Sequence, residues 1–124
     1  MLVSCSRCGR VHERGACPIK RKAEAARTEQ RRFRSSQAWT DMSLRVRERD
    51  RWLCASCAHA EPPRYVSARL SVHHIAPVAE AWDARLDPAN LITLCPACHE
   101  AAESGAIPRG LLRRWAEEAE GRDA

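Results

Sequence analysis

Two short cysteine pairs, Cys54-x-x-Cys57 and Cys95-x-x-Cys98, limit what this chain can fold into more than any other feature. A two-residue spacer lets both sulfurs of a pair reach one ion on a tight turn, and two pairs complete the tetrahedral shell that zinc prefers. Four thiolates leave no open position, so the ion expected there is structural. The chain needs such a staple. It has 124 residues, 30% of them charged, with one Phe, one Tyr and four Trp, and a working region of about 80 residues with so few large side chains has a thin core. The opening MLVSCSRCGR has no apolar signal core, and no run approaches the roughly 20 apolar residues of a membrane span. The expectation is a protein of a reducing cytoplasm, with no membrane partner, where paired cysteines bind metal rather than form disulfides.

Charge is unevenly spread. Residues 1–53 hold 14 Lys/Arg against 6 Asp/Glu, a net of +8, whereas residues 54–124 hold 7 against 10, a net of −3. A basic arm joined to a mildly acidic working domain suggests a polyanion partner, with a solvated helix as the plainer alternative. Residues 1–19 are rich in Cys, Gly and Pro without periodicity and read as a loop-rich segment. Residues 20–36 read as a basic helical arm with no apolar stripe. Ser35 and Ser36 are N-cap candidates for a helix from Gln37 to about Arg51, with Trp39, Met42 and Val46 on one face. Its other face carries Arg45, Arg47, Arg49 and Arg51, which with the arginines from Arg21 onward are expected to contact phosphates without reading sequence. Trp39, Trp52 and Trp115 read as core.

Beyond Cys57, a Pro-containing loop leads to a short strand at Leu70–Val72 that runs into His73 and His74; Leu91–Leu94 is a second β-prone run. A helix opens at the Cys95–Cys98 turn and stops at Gly105, and a last helix opens near Pro108. A frayed tail is expected over 121–124. Adjacent residues on a helix diverge by about 100°, so Cys98 and His99 serve different sites. His73 and His74 point to opposite sides of their strand, so one can bind a metal while the other stands off it. Asn90, just before the second strand, can fix a partner through its amide. His59 has no motif context and reads as loop.

The run Val72-His73-His74-Ile75-x-Pro77, then Asn90-Leu91-Ile92-Thr93-Leu94-Cys95, then Cys98-His99 resembles the HNH endonuclease family. The likeness spans residues 37–118, and the stretch Trp82–Trp115 also resembles small HNH proteins of tailed phages and prophages. The resemblance implies a small α+β fold: a ββα-metal motif with a zinc-ribbon-like four-cysteine site and flanking helices, over residues 37–120. It implies His74 as general base, Asn90 holding the loop around it, and His73 and His99 binding one divalent ion, whether magnesium, manganese, nickel or zinc. The implied activity is hydrolysis of DNA phosphodiesters to 5′-phosphate and 3′-hydroxyl ends. The implied partners are double-stranded DNA and, beside it, phage packaging proteins of the terminase or portal kind, inside a bacterial host. Many relatives carry Asp where His73 stands, and a His–His pair tolerates softer ions than an Asp–His pair.

Cys5-x-x-Cys8, His12 and Cys17 offer three thiolates and one imidazole for a second zinc, in a spacing that resembles a zinc knuckle with one residue fewer between Cys8 and His12. The alternative is a disordered leader with spare thiols. For the chain as a whole the rivals are a zinc-stabilised nucleic-acid-binding module without catalysis and, more weakly, an adaptor that docks on another phage protein. Neither requires the histidines and Asn90 at these spacings.

Overall fold

The computed structural model describes residues 1–123. Ala124 and the side chains of Lys20, Arg21 and Asp123 lie outside that description, and with them the Arg21 phosphate contact and the last residue of the expected tail. The chain divides into two compact units, Met1–Ser36 and a second that begins at Gln37.

Residues 1–19, at the start of the first unit, are not the irregular loop their composition suggests. Strand β1 (Leu2–Ser4) pairs antiparallel with β2 (Val11–Glu13), Val3 opposite His12. Strands of three residues are too short to leave a period in the sequence. The turn between them closes through Cys5 N–H to Arg10 O at 3.0 Å and Gly9 N–H to Cys5 O at 2.9 Å. Gly9 takes φ +74, a left-handed conformation that favours glycine. Helix α1 (Pro18–Arg34) follows, with Pro in its first turn and Cys17 as its N-cap.

In the second unit, helix α2 (Gln37–Arg49) ends where Arg51 and Trp52 both adopt positive φ, +60 and +57. That reversal carries the chain to Cys54 and the one-turn helix α3 (Ala55–Ala58). Strand β3 (Ser71–His74) pairs antiparallel with β4 (Leu91–Leu94), Ser71 opposite Leu94 and His74 opposite Leu91. The connection contains single helical turns at Trp82–Ala84 and Pro88–Asn90. Helix α4 (Pro96–Glu103) stops before Gly105, whose φ is +85. Helix α5 (Arg109–Asp123) runs on through the residues expected to fray.

All four residues of β4 are buried, so the strand shows no in–out alternation. Helices α2, α3 and α5 pack against it, and a strand covered on both faces reads as a continuous apolar run. Ile75, Ile92, Leu94, Leu112 and Ala116 form the core together with Cys54, Cys57 and Cys95. Two tryptophans depart from the expected core. Trp52 is 46% exposed because the left-handed turn swings it outward. Trp39 is half-buried and stacks on His74.

Arg49 is the larger correction. Its side chain is buried and cannot reach a phosphate. Nε and Nη2 donate to the two carboxylate oxygens of Asp50 at 3.0 and 3.1 Å. The remaining donors reach Pro88 O, Leu91 O and Glu120 Oε1 at 2.8, 2.8 and 3.1 Å. Asp50 Oδ2 in turn accepts the Thr93 N–H at 3.0 Å. The guanidinium therefore ties α2, the turn before β4, β4 itself and α5 into one satisfied network. A buried charge is tolerable only with such partners.

Candidate metal centre and active site

Cys54, Cys57, Cys95 and Cys98 converge, with sulfur atoms all within 4.8 Å of one another. Cys57 Sγ lies 3.9 Å from Cys95 Sγ and 3.7 Å from Cys98 Sγ. Two thiolates about 2.3 Å from a tetrahedral zinc stand about 3.8 Å apart, so the cage fits that ion. The first three cysteines are buried. Burial, then the neighbouring Cys54 and Cys98 sulfurs, pushes the Cys57 thiol up to about 12. Such crowded thiols become thiolates readily only beside a cation, which is the condition a bound metal creates. The cage joins α3 to the start of α4, and so fixes the strand–helix junction on which His99 sits.

On the other side of that junction, His73, His99 and Glu103 bring ligand atoms within 4.8 Å of one another. His73 is 8% exposed, and burial, then the nearby His99, lowers its pKa to about 4. It is therefore neutral near pH 7, with a lone pair to offer. His99 and Glu103 are one helical turn apart on α4, Nε2 to Oε1 at 3.4 Å. Glu103 was not among the residues singled out from sequence. Its signal was available: once α4 is known to start at Pro96, positions 99 and 103 share a face.

His74 points to the opposite side of β3 from His73. Its Nε2 lies 3.0 Å from Arg85 O; a carbonyl only accepts, so Nε2 carries the proton and the imidazole lone pair is on Nδ1. The Trp39 ring stacks on the imidazole, centroids 4.7 Å apart at 24°. Arg85 is itself held: its guanidinium sits 4.2 Å over the Trp82 ring and donates to Trp82 O at 3.0 Å. Asn90 is buried and closes the loop. Its Oδ1 accepts the Ala76 N–H at 2.8 Å, and Nδ2 donates to Ala76 O and Ala84 O at 3.1 and 3.2 Å. The backbone N–H of Ile75 reaches Asn90 O at 2.9 Å. The segment that follows His74 is thus pinned at both ends of its excursion.

Of the surface arginines, Arg45 donates to Glu120 at 3.0 Å, Arg47 to Ser43 Oγ at 3.0 Å, and Arg51 is exposed. His59 stacks on Trp115, centroids 4.6 Å apart, so it is packed against α5. In the first unit, Cys5, Cys8, His12 and Cys17 form a second convergent group within 4.8 Å.

A two-stranded antiparallel ribbon closed by a helix around paired histidines, with a cysteine cage at its base, defines a ββα-metal nuclease fold. Residues 54–105 match the family model described as HNH endonuclease. The crystal structure of the deep-sea thermophilic bacteriophage GVE2 HNH endonuclease with manganese ion is similar, at 29% sequence identity and a TM-score of 0.64. The match covers 75% of this chain and 98% of that one. No curated protein matches the sequence. No helix among the described residues is long and apolar enough to cross a membrane.

Proposed function

We propose that this chain is a metal-dependent DNA endonuclease that leaves 5′-phosphate and 3′-hydroxyl ends. The observation that carries the reading is His74: an imidazole with Nε2 tied to a backbone carbonyl, beside the group His73, His99 and Glu103. In this reading His74 Nδ1 takes a proton from the attacking water, as a neutral imidazole can near pH 7. The new P–O bond forms opposite the 3′ oxygen, the P–O3′ bond breaks, and the departing oxygen is protonated from solvent. Trp39 and Arg85 O hold the imidazole plane, and Asn90 holds the backbone that follows it. A divalent ion held by His73, His99 and Glu103 would supply the positive charge that offsets the phosphate and the leaving oxygen. Adding a carboxylate to two imidazoles makes the set harder, which favours manganese or magnesium over nickel or zinc. The manganese ion in the GVE2 enzyme supports that choice.

Cys54, Cys57, Cys95 and Cys98 hold a structural zinc in this reading. Arg45, Arg47 and Arg51 are the candidate phosphate contacts. One active site per chain cuts one strand per engagement, so nicking is the expected product. The likeness of Trp82–Trp115 to phage proteins, and the phage origin of the GVE2 relative, support a role in phage DNA processing beside the packaging machinery in the host cytoplasm.

Supercoiled plasmid incubated with the protein in manganese, magnesium or nickel tests this directly. Nicking that stops with EDTA and is absent in a His74→Ala protein that keeps its zinc places His74 in the chemistry. A zinc-loaded protein that retards DNA in a gel but never cuts it with any ion would leave the binding-module reading in its place.

A further inference from the structure

We infer that the first unit is a separate zinc module, in which Cys5, Cys8, His12 and Cys17 bind one tetrahedral ion. Three observations converge on it. The first is geometric. The four ligand atoms lie within 4.8 Å of one another, and Cys5 Sγ stands 3.8 Å from Cys17 Sγ, the spacing expected of two sulfurs on one zinc at about 2.3 Å each.

The second is an orphan. His12 Nδ1 lies 2.7 Å from its neighbour's carbonyl, Glu13 O, so Nδ1 carries the proton and Nε2 the lone pair. That Nε2 is buried, meets no donor in good hydrogen-bond geometry, and has the Cys5 and Cys17 side chains as its polar neighbours. A buried acceptor without a donor is costly. An imidazole that gives its N–H to a carbonyl and turns its other nitrogen toward thiolates has the arrangement of a metal-binding histidine.

The third is the scarcity of buried apolar side chains. Among the described residues of Met1–Ser36 only Cys17 and Phe33 are buried, while Leu2 and Val11 are each 64% exposed. A two-stranded ribbon of three-residue strands is marginal in water, and chains below about 40 residues usually need a metal, disulfide or partner to fold. The ligands come from every part of the unit: the turn after β1, β2 itself and the N-cap of α1. One ion would therefore tie all three elements. Backbone N–H groups of Cys8 and Arg7 aim at the Cys5 sulfur, and that of Arg10 at the Cys8 sulfur, as in turns that hold thiolates for zinc. Three soft donors and an imidazole select zinc over magnesium or manganese.

The test is zinc stoichiometry of the full chain by elemental analysis, on a His99→Ala background so that the His73–His99–Glu103 group contributes none. Two zinc ions per chain are expected, falling to one in Cys8→Ser and in His12→Ala, and returning to two in His12→Cys. The zinc that remains in the variants reports that the second unit is still folded. One zinc in the parent chain overturns the proposal, as do two zinc ions retained in Cys8→Ser. A disulfide among Cys5, Cys8 and Cys17, detected by thiol titration of the freshly isolated denatured chain, overturns it equally.

Discussion

The molecule contains two cysteine clusters of nearly equal dimensions in opposite surroundings. Cys54, Cys57, Cys95 and Cys98 are drawn from segments almost forty residues apart in the chain, and three of them belong to the hydrophobic core. Cys5, Cys8, His12 and Cys17 lie within a single short stretch, and among the described residues of their unit only Cys17 and Phe33 are buried. A cluster embedded in a core shares its task with apolar packing and with the Arg49–Asp50 network. A cluster without a core is alone in opposing the chain entropy of its unit. On the assignments proposed above, similar donor sets imply two kinds of folding: one unit in which metal would reinforce a fold, and one in which metal would be the fold.

The largest effect that would sharpen this contrast is metal removal. Structural zinc is worth roughly 10–16 kcal/mol to small domains that are unfolded without it. A strong chelator is expected to unfold the first unit and to lower the unfolding temperature of the second in calorimetry while leaving it a cooperative transition. Cys8→Ser, by contrast, should leave that main transition near its original temperature. A parallel collapse in both cases would mean that the two units fold as one.

Next comes the Arg49–Asp50 network of the second unit. Arg49→Ala leaves Asp50 buried without its partner, and the expected loss is about 3–5 kcal/mol in urea unfolding with zinc still bound. A loss below about 1 kcal/mol, the range of surface ion pairs, would make zinc the main support of the second unit as well, and the contrast would fail.

A smaller effect follows from His73. Its folded-state pKa of about 4 lies below the ordinary 6.5, so protonation favours the unfolded chain. Above pH 6.5 the group is neutral in both states and contributes nothing. Between 6.5 and 4, stability falls as pH drops, by up to about 1.4 kcal/mol per pH unit. The difference between wild type and His73→Gln in buffer free of added divalent ions should show that slope; equal slopes would place the imidazole in solvent. The smallest effect expected is that of Glu103→Ala: manganese affinity weaker by about tenfold, or about 1.4 kcal/mol, by calorimetric titration, with zinc content unchanged. Unaltered affinity would remove Glu103 from the metal group.

Much of the second unit was legible because its signals are local. Paired cysteines, a His-His step at a strand end, and an Asn before an apolar run carry their spacing in the sequence, and the structure brings these residues together. What was not legible depends on partners distant in the chain. Arg49 looks like its neighbours Arg45, Arg47 and Arg51; only the arrival of β4 and α5 turns it inward. Trp39 was expected in the core because it shares a face with Val46, yet its ring lies on His74, some 35 residues away. Trp52 was misplaced because two consecutive left-handed residues, neither of them glycine, leave no sequence signature. The N-terminal ribbon was missed because three residues per strand fall below the length at which alternation can be read.

Asn90 has a further consequence. By bonding to Ala76 and to Ala84 it welds the two ends of an excursion together, so that residues 77–83 hang from the scaffold like a bead on a closed ring. The spacing between His74 and β4 is then set by the weld and not by the contour of the bead. Exchanges at the exposed positions Pro77, Ala79 and Asp83 inside that ring should leave the imidazole at its station, whereas Trp82, which holds Arg85, and the buried Val78 belong to its support.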